Sequence, residues 1–237
     1  MPRLLHLSDT HLAAPGAPSA HPELDAAARL REVIAAAMRQ GPFDAVVLTG
    51  DICDDGSAQG AAAVHEIVSH CAPIVLGVPG NHDLSAPVRE AFGRAQAWLE
   101  GWRILGVETQ VEGEVAGVAD DAVAEIDELD AFPTVVLMHH PLLSRSTHPW
   151  FALGNAEALA GVVQRHVGPL VLLSGHTHEA FDARLGEAYL YGAPSTYYGI
   201  VHEGDTWSYA PDVIGARIVE LAADGRVSST LVTPDRL

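Results

Sequence analysis

Runs of apolar residues alternate with amphipathic segments through most of the chain. The apolar runs predict β-strands that begin near Arg3, Asp44, Pro73, Trp102, Thr134 and Leu170. Apolar residues at helical spacing predict helices over 23–41, closed by Gly41, and over 61–70, 120–129 and 155–168. Because runs such as "DAVVLTGD" show no polar alternation, we expect their strands to be buried on both faces.

After Phe181 the pattern changes to short apolar stretches separated by turn residues, without helical spacing. The stretches "ARLGEAYLYGAPS", "VIGARIVEL" and "RVSSTLVTP" predict strands of a meander. The chain therefore combines an α/β part with a β-rich part. It has 237 residues, no internal repeat and no long linker, so we interpret residues 1–237 as one domain.

Polar side chains that can bind metal ions follow directly after five of the predicted strands. They are Asp9 and His11, then Asp51, then Asn81, His82 and Asp83, then His139 and His140, and finally His176 and His178. The carboxyl ends of the strands in an α/β sheet share one edge, so these side chains are expected to meet. Carboxylate, amide and imidazole donors without cysteine suit manganese, iron or zinc. Each segment alone is typical of an ordinary turn, but their joint occurrence favours a metal site.

The composition limits the location and the partners of the protein. The formal net charge is −18, and such a surface repels polyphosphate backbones, which argues against extended contact with nucleic acid. The N-terminus lacks the features of a secretory signal, and no window approaches the roughly 18 apolar residues of a membrane span. Cys53 and Cys71 suggest buried thiols in a reducing compartment. We therefore expect a cytoplasmic protein without a membrane partner; the sequence leaves the oligomeric state open, with a homodimer as one alternative.

The ordered motifs D-x-H, G-D, G-N-H-D, H-x-P and G-H-x-H, from Asp9 to His178, resemble those of the calcineurin-like metallophosphoesterases. The longer stretches "HLSDTHL", "GDICDDGS", "VPGNHD", "MHHPL" and "GAPST" are most similar to the class III cyclic nucleotide phosphodiesterases of bacteria. The resemblance covers most of the chain. It implies an α/β fold of four layers, an αββα sandwich of two mixed β-sheets flanked by helices.

The resemblance also implies a binuclear centre that holds two ions of manganese, iron or zinc. The implied ligands are Asp9, His11, Asp51 and His178 for the first ion, and Asp51, Asn81, His139 and His176 for the second. His82 is expected to lie beside the substrate phosphoryl group as a catalytic residue and to bind no metal. The role of His140 stays open.

Further residues near the motifs have two interpretations each. Asp54 and Asp83 either orient imidazole rings from behind or cap ordinary turns. The segment "YGAPSTYYG" over 191–199 is either a strand end with a turn or, from the resemblance, a neighbour of the active site. In the second case Ser195 and Thr196 would contact the substrate, together with Asn81 and His82.

The predicted function is hydrolysis of small phosphodiesters, with 3′,5′-cyclic AMP as the best single substrate. A hydroxide that bridges two ions about 3.5–4 Å apart would attack the phosphorus atom. One alternative is a phosphoesterase of broader specificity that acts on glycerophosphodiesters or phosphomonoesters. The other is a non-catalytic scaffold of the same fold, which is disfavoured because every implied ligand position and His82 are filled.

Overall fold

Helices and strands are interspersed up to the ninth strand, and only strands follow it in the part of the chain that the structure describes. The computed structural model describes residues 1–17 and 21–235. The strands within them are β1 (Arg3–Leu7), β2 (Ala45–Thr49), β3 (Ile74–Val78), β4 (Gln96–Leu99), β5 (Trp102–Gly106), β6 (Gly117–Val118), β7 (Thr134–Leu137), β8 (Leu153–Gly154), β9 (Leu170–Ser174), β10 (Phe181–Leu185), β11 (Ala188–Gly192), β12 (Gly199–Glu203), β13 (Thr206–Ala210), β14 (Ala216–Leu221) and β15 (Val227–Val232). The helices are α1 (Ala26–Met38), α2 (Ala58–Val68), α3 (Ser85–Phe92), α4 (Asp120–Asp127), α5 (Ala156–Arg165) and a short 3₁₀ helix (Pro149–Phe151).

Most strands belong to two mixed sheets. The first sheet has the order β15-β14-β1-β2-β3, in which β1, β2 and β3 are parallel and β14 and β15 are antiparallel to their neighbours. The second sheet has the order β10-β11-β9-β7-β5-β4, with a parallel centre and antiparallel edges. Two short pairs, β12-β13 and β6-β8, lie outside both sheets.

Apolar side chains on both faces of the central strands make three layers of core. Leu4 and Val47 of the first sheet pack between the sheets against Val135 of the second. Leu5 points to the opposite face, into a cluster with α1, α2 and α3. Val136 likewise packs with α4 and α5 on the outer face of the second sheet. Because strand side chains alternate between faces, continuous apolar runs fill all three cores, and the predicted αββα sandwich is confirmed.

The helix boundaries follow the polar caps rather than the ends of the apolar pattern. The first helix begins at Ala26, not at residue 23, because the Asp25 side chain accepts a hydrogen bond from the Ala28 amide at 2.9 Å. It ends at Met38, before the predicted closure at Gly41.

The sequence pattern also missed several elements. Helix α3 is only eight residues long and carries a proline in its first turn, where proline is tolerated but hides the helical spacing. Strand β4 has four residues at the edge of the second sheet. The β12-β13 hairpin pairs two strands that are exposed on one side. No helix among the described residues has the length and hydrophobicity needed to cross a bilayer.

Candidate active site

The loops that follow β1, β2, β3, β7 and β9 converge at one edge of the sandwich. Backbone hydrogen bonds join them: the Asp9 amide donates to the Gly50 carbonyl at 3.0 Å, and the Gly175 amide donates to the His139 carbonyl at 3.0 Å. A Cβ atom on Gly175 would come within 2.6 Å of Asp9 Oδ2, so the glycine before the last two histidines allows the loops to approach closely.

Left-handed backbone conformations concentrate in these loops. Besides Asn155, the described non-glycine residues with positive φ are Asp9 (53°), His11 (47°), Asp51 (46°), His176 (68°) and His178 (50°). Such conformations are uncommon outside glycine and persist where the surrounding structure fixes them, often at functional sites. Five of the seven predicted metal ligands adopt them.

The ligands predicted for the first ion form one buried cluster. One donor atom from each of Asp9, His11, Asp51 and His178 lies within 4.8 Å of the others. The Nε2 atom of His178 is 3.4 Å from Asp9 Oδ1, and the Nε2 atom of His11 is 3.7 Å from Asp51 Oδ2.

The ligands predicted for the second ion lie on the other side of Asp51. The Nε2 atom of His139 is 3.4 Å from Asp51 Oδ1 and 3.1 Å from Asn81 Oδ1. The rings of His139 and His176 have centroids 4.9 Å apart. Burial alone would raise the pKa of Asp51, but the rings of His139 and His11 hold it well below its usual range, so the shared carboxylate is ionised.

The hydrogen bonds of the histidines show which nitrogen faces the centre. His11 Nδ1 donates to Asp54 Oδ1 at 3.0 Å, and His178 Nδ1 donates to the Tyr198 carbonyl at 2.7 Å. His139 Nδ1 donates to the Thr49 carbonyl at 2.8 Å. A neutral imidazole carries one proton, so the Nε2 lone pairs of His11 and His178 point into the cluster. His139 Nε2 also faces the cluster, next to the acceptor oxygens of Asn81 and Asp51. Burial lowers the pKa of His139, but the charges of Asp51 and Asp9 outweigh it and raise the pKa to about 9, so without a metal ion this ring carries a proton on both nitrogens.

The same reasoning applies to His176 with the nitrogens exchanged. Its Nε2 atom donates to the Trp150 carbonyl at 2.8 Å, which leaves the Nδ1 lone pair free to bind. Lone pairs of nitrogen and carboxylate oxygen that converge in a buried space repel each other unless a proton or a metal ion lies between them. The donor set therefore fits a pair of metal ions.

His140 lies beside this cluster but has both nitrogens occupied. Its Nε2 atom donates to the Val115 carbonyl at 3.0 Å, and its Nδ1 atom accepts from the Thr109 hydroxyl at 2.9 Å. Burial and the neighbouring ring of His139 lower the pKa of His140 to about 2, so the ring is neutral. His140 thus joins two loops behind the site. The sequence had left the role of this residue open.

Asp54 connects a predicted ligand to the predicted catalytic histidine. Its Oδ1 atom lies 3.0 Å from His11 Nδ1 and 3.1 Å from His82 Nδ1. Burial lowers the pKa of His82, but the hydrogen bond to Asp54 and the charge of Asp51 outweigh it and raise the pKa to about 9. Of the two interpretations of Asp54, the geometry supports the orientation of imidazole rings.

Asp83 has the other role, that of a backbone cap. Its carboxylate accepts hydrogen bonds from the amides of Ile52, Cys53 and Gly80 at 2.8–3.0 Å. These bonds join the loops after β2 and β3, which carry Asp51 and Asn81.

The segment 191–199 does lie next to the cluster. Ser195 is fully buried, and its hydroxyl donates to the Asp9 carbonyl at 2.8 Å and accepts from the amides of Tyr197 and Tyr198. This geometry assigns Ser195 to holding the loop of Asp9. Thr196 is also fully buried, and direct contact of either hydroxyl with substrate stays a prediction.

Comparison with known proteins places the chain in a family. Residues 2–180 match the calcineurin-like phosphoesterase family, and the chain belongs to it. It is therefore a metal-dependent phosphoric ester hydrolase.

Two curated relatives cover most of the chain. The 3′,5′-cyclic-nucleotide phosphodiesterase of Nostoc sp. is 26% identical over 197 residues, which cover 77% of this chain and 74% of that protein. The 3′,5′-cyclic adenosine monophosphate phosphodiesterase CpdA of Escherichia coli is 29% identical over 261 residues, which cover 98% and 92%. The crystal structure of a dimetal phosphatase from Danio rerio shares the fold, with a TM-score of 0.70 and 15% identity over 99% of this chain and 96% of that one.

Proposed function

We propose that the chain is a dinuclear-metal phosphodiesterase that hydrolyses small phosphodiesters, with 3′,5′-cyclic AMP as its substrate. The position of Asp51 carries the proposal. Its Oδ2 atom lies 3.7 Å from His11 Nε2, and its Oδ1 atom lies 3.4 Å from His139 Nε2. One buried carboxylate therefore faces two separate groups of donors, as a shared ligand between neighbouring ions must.

In this proposal Asp51 is common to both ions, and the other six ligands divide three and three. Asp9, His11 and His178 complete the first set, and Asn81, His139 and His176 complete the second. Manganese, iron and zinc all suit these donors. When bound, the two ions neutralise the phosphoryl oxygens and lower the pKa of a water that serves as the nucleophile.

His82 is assigned to the leaving group. Its side chain is 41% exposed at the mouth of the cluster, so a substrate can reach it. Because Nδ1 donates to Asp54, the proton on Nε2 is the one available to an ester oxygen. As the bond between phosphorus and the 3′ oxygen breaks, His82 donates this proton to the departing oxygen. Asp54 keeps the ring in the orientation for the transfer.

The choice of substrate follows from the relatives. The proteins from Nostoc and Escherichia coli that cover most of this chain are named as cyclic nucleotide phosphodiesterases. The net charge of −18 favours a small substrate over extended nucleic acid. The exposure of His82 at an open site supports a second candidate, a phosphoesterase of broader specificity. A cytoplasmic location and a single domain over 1–237 stay predictions.

A substrate panel tests the proposal. The manganese-loaded protein is assayed with 3′,5′-cyclic AMP, glycerophosphoethanolamine and 4-nitrophenyl phosphate, and the cyclic nucleotide is expected to give the highest kcat/KM. Asp51→Asn should abolish activity towards all three and lose both ions. Asp55→Asn is the control, because that carboxylate lies on the surface and accepts hydrogen bonds from the amides of Ala14 and Ser57. Equal rates on all substrates would favour the broader enzyme, and no turnover with two ions bound would contradict the proposal.

A further inference from the structure

The β12-β13 hairpin lies outside both sheets and turns one face towards the metal-binding loops. Its register pairs His202 with Trp207 and Ile200 with Tyr209, so these four side chains share a face. His202 Nε2 donates to the carbonyl of Thr177, the residue between the two predicted ligands of the last motif, at 2.9 Å. An isolated two-stranded hairpin is marginally stable, and here the site itself fixes its position.

A row of aromatic rings extends from this face of the hairpin towards the predicted metal-binding cluster in two directions. The ring centroid of Trp207 is 5.9 Å from that of Trp150 and 5.1 Å from that of Tyr209, and Tyr209 is 5.2 Å from Tyr198. We call Trp150, Trp207, Tyr209 and Tyr198 the aromatic arc.

Each end of the aromatic arc contacts a predicted ligand. The Tyr198 ring lies 4.6 Å from the ring of His178, and the Trp150 carbonyl accepts the hydrogen bond of His176. The aromatic arc therefore borders the predicted metal-binding cluster at both of its ends, through the ring of Tyr198 and the backbone of Trp150.

The arc also leaves large apolar surfaces in water. Trp150 is 49% exposed and Tyr209 is 47% exposed. An exposed aromatic face can stack on another flat ring, and every nucleobase has such a ring. Trp98 is a useful contrast: it is 59% exposed but packs on Phe132 and pairs with Arg103, at the end of the second sheet opposite the metal loops.

We propose that the aromatic arc is the subsite that selects substrates with a planar aromatic group, stacking the base of a nucleotide whose phosphate is bound at the cluster. This inference rests on the proposed function, because the arc acts on the group that the bound phosphodiester carries. It goes further in assigning substrate choice to Trp150, Trp207 and Tyr209, which no motif marks.

Kinetics of single variants with two substrates test the inference. Trp150→Ala and Tyr209→Ala are compared with the parent protein on 3′,5′-cyclic AMP, which carries a base, and on glycerophosphoethanolamine, which has no ring. Because each variant loses a stacking contact with the base, KM for cyclic AMP should rise roughly 5- to 100-fold. KM for glycerophosphoethanolamine should stay unchanged, Trp150→Phe should restore the cyclic AMP value, and Trp98→Ala should match the parent. Melting temperature and metal content check that each variant is folded.

The other outcomes separate the two proposals. If cyclic AMP and glycerophosphoethanolamine are affected equally, or neither is affected, the arc does not select aromatic groups and the inference is wrong. If the parent protein hydrolyses no diester, the proposed function fails, and binding of 5′-AMP followed by tryptophan fluorescence decides the inference separately. Binding that weakens in Trp150→Ala but not in Trp98→Ala supports the subsite, and absence of binding overturns it.

Discussion

His11 and His178 direct the Nε2 atoms of their rings at each other across 3.2 Å. Asp54 and the Tyr198 carbonyl hold the ring protons on the opposite nitrogens, so two lone pairs face each other in a buried space. Burial also lowers the pKa of His11, so this ring does not readily take up a second proton that would relieve the repulsion between the two lone pairs. A cation between the rings removes the repulsion, and the folded protein is therefore built to bind metal.

Removal of metal should lower the melting temperature. A ligand that binds only the folded state at about 1,000 times its Kd stabilises it by about 4 kcal/mol. Scanning calorimetry of chelator-treated protein, with and without added manganese, measures the difference. His178→Ala should lose most of the gain, whereas a variant of the exposed His70 should keep it. Equal melting temperatures for treated and manganese-loaded protein would contradict this view of the cluster.

Asp54→Ala should impair catalysis more than folding. The substitution frees the rings of both His11 and His82, and loss of such a partner costs about 10–100-fold in metal affinity or activity. Steady-state kinetics at saturating manganese should show a lower kcat with little change in KM. Asp55→Ala serves as the neighbouring control. A rise in KM alone would argue that Asp54 does not orient His82.

His82→Ala should reveal its role through the leaving group. Loss of a general acid lowers kcat by about 10²–10⁴-fold for cyclic AMP, whose alkoxide needs a proton. The effect should be much smaller for bis(4-nitrophenyl) phosphate, because nitrophenolate departs without one. Metal content should equal that of the parent protein. Equal losses on both substrates would remove the proton-donor assignment.

His140→Ala should destabilise the protein without removing an ion. The ring makes two buried hydrogen bonds, and each partner left unsatisfied costs about 1–3 kcal/mol. Urea unfolding should report the loss, while elemental analysis should still find two ions per chain. Loss of one ion in a folded variant would show that His140 is a ligand after all.

The strands and the motifs that end them were predictable from the sequence, because both depend on local patterns. Continuous apolar runs predicted buried strands, and the shared edge of parallel strands predicted that Asp9, Asp51 and Asn81 meet after β1, β2 and β3. His139 and His176 follow strands of the second sheet, and local patterns did not show that the chain forms two sheets rather than one. The partners that fix the ring protons were not predictable. They include the carbonyls of Thr49, Trp150 and Tyr198, and a backbone carbonyl leaves no trace in residue identity.

The remaining gaps have different causes. The sequence left two roles open for Asp54 and Asp83, since both are acidic residues in turns, and only their contacts separate them. The β12-β13 hairpin went unrecognised although the sequence carries its local signal. Gly204 and Asp205 form a two-residue turn between two stretches of alternating burial.

Anomalous diffraction from crystals grown with manganese tests the central claim most directly. Data collected on both sides of the manganese absorption edge should show two peaks, one on each side of the Asp51 carboxylate. His11 and His178 should contact one peak, and His139 and Asn81 should contact the other. A single peak, or peaks remote from Asp51, would contradict a binuclear centre.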